Sequence, residues 1–594
     1  MRVGADTGGT FTDAVCDDGR IAKVLSSPDD PGHAVRDAVD ALAGGRQPSC
    51  LAHGTTVATN ALLERKGAPV ALVTTAGLRD VIEIARQDRP SLYDTSVVRP
   101  TPLVPRPWRL EVGGRLTADG EELDPVDPAS VPDIPPSAAG VAVCLLHSDL
   151  SPVHEAAVAE VLRARGHDVT CSHEVSPEMR EYERTVTTVV NASLRPLCRA
   201  YLHGLADVAA EVLVMTSAGG LLPVTEAAEL PAALLLSGPA GGVRAGAAAA
   251  VANGFADAVT FDMGGTSTDV CLVLDGAPAP GAQRSVGGHT VRFPSLDIHT
   301  IGAGGGSIAV IDPGGALVVG PRSAGARPGP ACYGRGGHAP TVTDADLVAG
   351  RIPAGSSFGG LVLDVDAARA ALAGAGVDAA GVIRVVDAAM ERALRAVSVE
   401  RGVDPRGLAL VAFGGAGPLH ACALAEALDM AAVIVPARAG VLSGVGLLTA
   451  PVQRDLVRSW PTPRDVSGVD AACAALAALA VELVGPGATA STALDCRYEG
   501  QSHEITVPTV AEFHDAHRLR NGFSRPDAAV EVIALRATAT IPSDLDLSGL
   551  PFPDRPSAVG PIAVAEPDCT IWIPAGWRAE PGAEGALVLR RARS

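Results

Sequence analysis

Apolar positions change their spacing several times along the chain, and those changes predict its elements. Residues 2–17 read as strand, glycine turn and strand. A polar, Pro-rich link over Ser26–Gly32 leads to Gly32–Leu42, where Ala34, Val35, Ala38, Val39 and Leu42 recur at helical spacing. Val70–Thr75 and Val141–Leu146 are continuous apolar runs of strand length. Gly77–Ala85 and a stretch from about Pro152 to Arg165 read as helices, with a polar, Pro-rich loop over Arg86–Pro105. In Glu178–Leu197 the residues Met179, Tyr182, Val186, Val189, Val190 and Leu194 mark one helix face, and Glu181, Glu183 and Arg184 are expected on its solvated side. Leu213–Thr216, Ala258–Phe261 and Ala409–Phe413 are strands that each run into a glycine turn. Val382–Arg401 is helical, with Ala389, Met390, Ala393 and Val397 on one face. Strands alternating with helices predict an α/β fold. From about residue 484 the period switches to two, in Arg497–Val507 and Val530–Ile541, so the C-terminal stretch reads as a small β-rich domain. The expected division is 1–180, 181–483 and 484–594.

Composition narrows this picture. At 594 residues the chain has room for more than one domain. It is 47% hydrophobic and 19% charged, the balance of a globular protein. The formal charge is −20 with no block of Lys or Arg, which argues against nucleic acid or an anionic membrane as partner. No apolar run is long enough to predict a membrane span. The 11 cysteines are scattered without a C-x-x-C pair, and the N-terminus goes straight into a motif rather than a signal peptide. Together these predict reduced thiols and a cytoplasmic location.

Two turns stand out from this background. Asp262-Met263-Gly264-Gly265-Thr266-Ser267-Thr268-Asp269 follows the strand Ala258–Phe261, and Asp6-Thr7-Gly8-Gly9-Thr10-Phe11-Thr12-Asp13 follows Val3-Gly4-Ala5. Glycines admit a ligand close to the backbone, and successive N–H groups in such a turn form an anion-binding concavity. An Asp at each strand end is placed to hold Mg²⁺. A third glycine turn, Gly414-Gly415-Ala416-Gly417-Pro418, leads into a helix at Ala421–Leu428. Ser237-Gly238-Pro239 opens an Ala-rich helix, where it either meets an anion or closes a small-residue packing contact. His53, Thr55, Thr56, Thr59 and Asn60 stand at a strand-to-helix join, as ligand contacts or as caps. Asp297 and His299 lie two apart, on one face if the segment is a strand, where they bind a metal, relay a proton or bond to each other. Cys332, in a Gly-Pro-rich stretch, reads as structural.

Two Asp-x-Gly-Gly-Thr turns and a later Gly-Gly-Ala-Gly-Pro suggest two related lobes facing one nucleotide, an arrangement that resembles the actin, sugar kinase and 70-kDa heat-shock protein superfamily with its ribonuclease H-like lobes. Within it the sequence resembles the hydantoinase A/5-oxoprolinase family, which includes acetone carboxylase β-type subunits. The resemblance is carried by Asp6–Asp13, His53–Gly67, Glu181–Leu197, Ser237–Gly242, Asp262–Asp269, Asp297–Ser307, Gly329–Gly334, Thr343–Asp346, Gly414–His420 and Arg497–Val507. It implies ATP and Mg²⁺ as cofactors, a cyclic amide substrate activated by phosphorylation of its carbonyl, a hydantoinase B-type partner subunit and an oligomer. The phosphates then fall to Thr7, Gly8, Gly9 and Thr10 of the first turn and to Gly264, Gly265, Thr266 and Ser267 of the second. Gly414, Gly415, Ala416 and Gly417 take the adenosine. Asp6 and Asp262 sit near Mg²⁺; Asp13 and Asp269 act beside them or brace their own turns. Asp297, His299 and Asp344 form a second expected cluster, for another divalent metal or for the substrate.

Two departures from the family pattern are visible. The tail beyond about Arg536 is short, and Asp346 stands where relatives are expected to carry Asn. Three other functions share the same motifs: an ATP-using ketone carboxylase subunit, an ATP-driven activator of a partner protein, and a sugar kinase. The substrate is expected to be read between residues 294 and 346 and in the partner.

Overall fold

A computed structural model describes residues 1–592 except 28, 29, 90, 282, 359 and 360. Pro28 and Asp29 of the expected link, and Pro90 of the expected loop, therefore lie outside the described residues. The molecule is an α/β assembly built on three principal sheets. A ten-stranded mixed sheet runs in the order Ile505–Val507, Thr489–Tyr498, Val530–Ile541, Val452–Ser459, Leu221–Pro223, Glu211–Met215, Cys50–Thr55, Arg2–Thr7, Phe11–Cys16, Ile21–Leu25. A nine-stranded sheet is centred on Thr268–Leu274, Ala258–Met263, Ala409–Phe413 and Ala432–Val435. Four parallel strands, Val169–Cys171, Gly140–Cys144, Val70–Thr75 and Arg109–Val112, make the third.

The two large sheets repeat one unit. Arg2–Thr7 pairs antiparallel with Phe11–Cys16 and parallel with Cys50–Thr55. Ala258–Met263 pairs antiparallel with Thr268–Leu274 and parallel with Ala409–Phe413. Between the sheets lie two helices of small residues, Gly238–Ala252 and Leu442–Thr449. They touch backbone to backbone: a Cβ on Gly241 would stand 2.8 Å from the Ser443 carbonyl oxygen, and a Cβ on Gly446 would overlap the backbone of Gly241. Only glycine permits that approach.

The expected segments do not each own a sheet. Strands between Thr489 and Ile541 extend the N-terminal sheet, while Ala558–Val559, Trp577–Pro581 and Leu587–Arg591 extend the nine-stranded one. The 484–594 stretch is β-rich, as its alternation predicts, but its strands are shared between two sheets. The helix Val469–Val484 does close a small core of its own with this stretch, around Leu476, Tyr498, Phe513 and Val532.

Three local expectations need correction. Between Gly77 and Ala85 only Val81–Ile84 is helical, because Gly77 takes φ 88° and gives its N–H to Glu111 Oε1 at 2.7 Å. The long helix runs over Glu181–His203, later at both ends than expected. The Met179 N–H is bonded to Ser459 Oγ at 2.9 Å and Arg180 has φ 94°, which keep the helix from starting earlier. Its charged side is not solvated. Arg184 is 1% exposed and donates to Asp149 Oδ1 at 2.8 Å and to the Leu145 carbonyl at 2.9 Å, because the helix is packed against the four-stranded sheet. All 11 cysteines are free and buried, the behaviour of small core hydrophobes. Among the described residues, no helix is long and apolar enough to cross a membrane.

Candidate functional site

The repeated unit brings the two glycine turns tip to tip. A Cβ built on Gly265 would stand 3.0 Å from Thr10 Oγ1, and one on Gly9 would stand 3.8 Å from Thr266 Oγ1. Each turn is closed alike, by Gly8 N–H to the Phe11 carbonyl at 3.0 Å and by Gly264 N–H to the Ser267 carbonyl at 3.1 Å. Among the described residues the N–H groups of Gly9, Thr10, Gly265 and Thr266 have no partner. Two facing rows of such groups are an anion-binding device.

Behind the turns sit four carboxylates. Asp6 is the cross-strand neighbour of Asp13, and Asp262 of Asp269. Burial, then the Asp13 and Asp269 charges, push the Asp6 carboxyl up to about 7, against the pull of Lys23. Burial, then Asp269, Asp6 and Asp13, hold Asp262 well above the usual carboxylate range. Burial lifts Asp269 to about 6 although Thr300 and Ser267 donate to it. Asp13 is also raised by burial, with Lys23 opposing. Asp6 Oδ1 and Thr7 Oγ1 are enclosed without any partner. Repelling carboxylates around an orphaned oxygen are the donor set of a hard divalent cation. The chemistry of these residues fits Mg²⁺, which Asp6 and Asp262 would hold; among the described residues the four carboxylates do not themselves close into a three-ligand cluster.

Surrounding elements press on this centre. Cβ atoms on Gly54 and Gly238 would lie 2.6 and 3.5 Å from Asp6 Oδ1, so the first turn of the helix Gly238–Ala252 abuts that carboxylate. The Gly414–Gly417 loop closes on the second strand: Gly414 has φ 79°, a Cβ there would collide with Asp262, and the Ala416 N–H reaches the Met263 carbonyl at 3.0 Å. Below it, His420 lies fully buried between Asp387 Oδ1 at 2.6 Å and Asp346 Oδ2 at 3.2 Å. Burial alone would lower its pKa, but the two carboxylates outweigh that and raise it to about 10.

The second expected cluster is not assembled. Asp297 interrupts the strand between Leu296 and Ile298 and ion-pairs with Arg401. His299 is exposed. Asp344 is fully buried, and its oxygens accept from the N–H groups of Cys332 at 2.8 Å and Thr341 at 2.8 Å and from Thr341 Oγ1 at 2.8 Å. That carboxylate caps the helix Val342–Val348, and among the described residues these three form no metal-ligating group. Cys332 is buried, with its thiol pushed up by burial and by Asp344. The glycine-dense stretch beside them braces the second turn, while residues 294–297 at its start, Asp297 included, line a cleft of about 1360 Å³. Gly305 and Gly306 donate to the carbonyls of Gly264 and Gly265 at 3.0 and 2.7 Å, and Thr343 Oγ1 donates to the Gly305 carbonyl at 2.9 Å.

His53 is a structural residue. It is fully buried, burial lowers it to about 4, and its Nδ1–H donates to the Ala5 carbonyl at 2.9 Å while Nε2 accepts from the Tyr201 hydroxyl at 2.8 Å. Thr59 Oγ1 accepts the Leu236 N–H at 2.9 Å, and Asn60 is exposed. Lys23 was absent from the expected set, yet its Nζ stands 2.8 Å from Asp13 Oδ1. Its signal was composition: the chain has only two lysines, Lys23 and Lys66, among 47 basic residues.

A model of the hydantoinase/oxoprolinase N-terminal region matches residues 2–166, and a hydantoinase/oxoprolinase model matches residues 184–456. The chain belongs to the hydantoinase/oxoprolinase family. It is 34% identical to caprolactamase subunit alpha of Pseudomonas jessenii, over 97% of this chain and 90% of that one. The crystal structure of the ATP-dependent caprolactamase from Pseudomonas jessenii superposes with a TM-score of 0.85 at 29% identity, covering both chains completely. Nucleotide-free acetone carboxylase has the same fold, with a TM-score of 0.78 at 23% identity over 100% of this chain and 99% of that one. The family match covers both acidic turns and the Gly414–Gly417 loop, and with them the cluster described above.

Proposed function

We propose that this chain is the ATP-using subunit of a cyclic amide hydrolase, and that it activates the ring carbonyl by phosphorylation. The observation that carries the reading is the pair of acidic glycine turns meeting tip to tip around the orphaned Asp6 Oδ1. The N–H groups of Gly9, Thr10, Gly265 and Thr266 take the phosphate oxygens, with the Thr10 and Thr266 hydroxyls beside them. The Gly414–Gly417 loop takes the adenosine. Asp6 and Asp262 hold Mg²⁺, which when bound neutralises charge on the phosphates. Asp13 and Asp269 brace these carboxylates from the neighbouring strands, Asp13 through Lys23 and Asp269 through Thr300 at 2.5 Å.

An amide carbonyl is a poor electrophile, and phosphorylation of its oxygen corrects that. The amide oxygen forms a bond to the γ-phosphorus as the bond to the β,γ-bridging oxygen breaks, and ADP leaves. Water then adds to the activated carbon, the ring C–N bond breaks with a proton delivered to nitrogen, and the acyl phosphate so formed is hydrolysed by a second water to the carboxylate and inorganic phosphate. The name caprolactamase subunit alpha supports both a lactam substrate and a second subunit for this chain. The caprolactamase likeness favours hydrolysis over ketone carboxylation, because it spans 97% of this chain and 90% of that one, whereas the acetophenone carboxylase gamma subunit of Aromatoleum aromaticum, also 34% identical, is matched over 73% and 65%. ADP release measured with Mg²⁺ and a panel of lactams, hydantoins and ketones tests the reading. Lactam-dependent ADP release that disappears in Asp262→Ala is the expected result. Stimulation by a ketone plus bicarbonate alone would replace it with carboxylation.

A further inference from the structure

The helix Gly238–Ala252 begins against Asp6, and the turn that leads into it is held by an arginine. The Leu235 carbonyl accepts from Arg284 Nη1 at 2.5 Å, and Ser217 Oγ lies 2.8 Å from the same oxygen. Leu236 has φ 59°, a strained conformation for a bulky side chain, and its N–H is fixed on Thr59 Oγ1 at 2.9 Å. Gly238 follows, and a Cβ built there would stand 3.5 Å from Asp6 Oδ1 and 3.6 Å from Thr56 Cγ2. From Leu235 to Gly238 is three residues, at most about 11 Å of chain. Arg284 is thus tied by a short, strained turn to a carboxylate of the phosphate centre.

Holding that turn uses only one corner of the guanidinium. Arg284 Nε and Nη2 are enclosed and have no partner. Together they form the edge that grips a carboxylate through two parallel bonds. Elsewhere the molecule fills this edge with an acidic side chain: Arg86 on Glu183, Arg195 on Asp168 and Arg555 on Glu566. Among the described residues Arg284 is the arginine that leaves the whole edge enclosed and empty. Burial lowers its pKa to about 10, against the pull of Asp297. Asp297 is not within ion-pairing distance of it and is already paired with Arg401. An enclosed cation without a counter-charge is costly, and an oxyanion in bidentate geometry removes that cost. Arg284 stands on a hairpin, Arg284–Val286 with His289–Val291, that joins no larger sheet and rests on the helix Val57–Leu63. That hairpin is the element able to part and admit a ligand.

We infer that Arg284 is a specificity residue: its Nε–Nη2 edge receives a carboxylate carried by the ring substrate, so that the site prefers cyclic amides bearing a carboxylate over neutral ones. This rests on the amide-activation reading of the phosphate turns. A five-membered ring with one carboxylate is shorter than the turn from Leu235 to Gly238, and with its carboxylate on Arg284 its amide carbonyl is turned toward the phosphate side.

Two rings of matched size test the assignment: 5-oxoproline and its amide, 5-oxoprolinamide, which lacks the negative charge. In calorimetric titration of the full chain with ADP and Mg²⁺ present, the acid is expected to bind at least about tenfold tighter than the amide, a difference of about 1.4 kcal/mol. In Arg284→Gln that ratio shrinks to within about twofold, on the same conversion. Arg284→Lys keeps a donor for the Leu235 carbonyl but has no edge; it loses most of the ratio and serves if Arg284→Gln does not fold. An arginine that only pinned the turn would weaken both rings alike and leave the ratio standing, so an unchanged ratio in both variants overturns the inference. Equal binding of acid and amide to the unaltered chain overturns it as well. Weaker ADP binding in Arg284→Gln with the ring ratio intact would give the edge to a nucleotide phosphate instead. If neither ring binds, the assignment of the edge fails, and lactam-dependent ADP release, measured separately, decides whether amide activation stands.

Discussion

The first and second acidic turns have nearly the same sequence, yet the protein holds them differently. The first is balanced by a cation: Lys23 reaches Asp13, and its Nζ also donates to the Gly440 carbonyl at 3.2 Å. The second has no cation within ion-pairing distance of Asp262 or Asp269 among the described residues. It is braced by Thr300, by Gly305 and Gly306, and by the Gly414–Gly417 loop. The contrast teaches where each turn's freedom lies. In the first, a largely buried lysine held by Asp13 and the Gly440 carbonyl opposes the upward shift of the carboxyls, whereas the second is fixed by backbone and has no such cation among the described residues. Two equal turns would give two equal half-sites; these two give one centre with a charged side and a rigid side.

Removing each carboxylate in turn has the largest expected effect on this asymmetry. Asp262→Ala is expected to lower ATP turnover by about 10³-fold or more, and Asp6→Ala by a similar factor, on the scale of one lost electrostatic contact in a closed site. If Asp262→Ala turns over ATP at the normal rate, the second turn is not a phosphate site.

Asp344→Ala tests the bracing of the second turn. It strips the acceptor from four buried donors, the N–H groups of Ala331, Cys332 and Thr341 and the Thr341 hydroxyl, so a loss of stability of about 2–4 kcal/mol is expected in denaturant unfolding, with bound metal unchanged. Loss of a bound metal without loss of stability would instead restore Asp344 as a ligand.

Lys23→Met sharpens the difference in charge. Lys23 lowers the Asp6 carboxyl from what burial and its neighbours would set, so its removal raises that carboxyl above about 7. The acid limb of ATP turnover at limiting Mg²⁺ should move to higher pH in this variant. An unmoved limb would show that Lys23 does not tune the centre.

The smallest expected effect concerns the support beneath the third loop. The His420 pKa is raised in the folded protein, from 6.5 to about 10. Its charged form is therefore a source of stability that is fully present below about pH 6.5, declines as pH rises and is gone above about pH 10. Asp346→Asn should flatten that decline in unfolding midpoints measured between pH 6.5 and 10. A decline of equal slope in the variant would mean that Asp346 does not hold the proton on His420.

Both turns, the third glycine loop and the alternation of strands and helices were legible in the sequence, because glycine turns, strand runs and helical spacing are local properties of the backbone. Family membership was legible for the same reason, since its motifs are short and contiguous. What tertiary structure alone decided is which residues share space. Asp297 and His299 are two residues apart, yet they and Asp344 are kept separate by a broken strand, an exposed edge and a helix cap. Lys23 and Asp13 are joined by strand register, Gly54 and Gly238 by the packing of a helix against a sheet, and Asp455 with Thr538 by antiparallel pairing across two strands. The C-terminal strands read correctly as strands, but hydrophobic alternation has no term for the sheet a strand will join. That choice depends on edges supplied by distant parts of the chain, and it put Val530–Ile541 beside Val452–Ser459 in the N-terminal sheet.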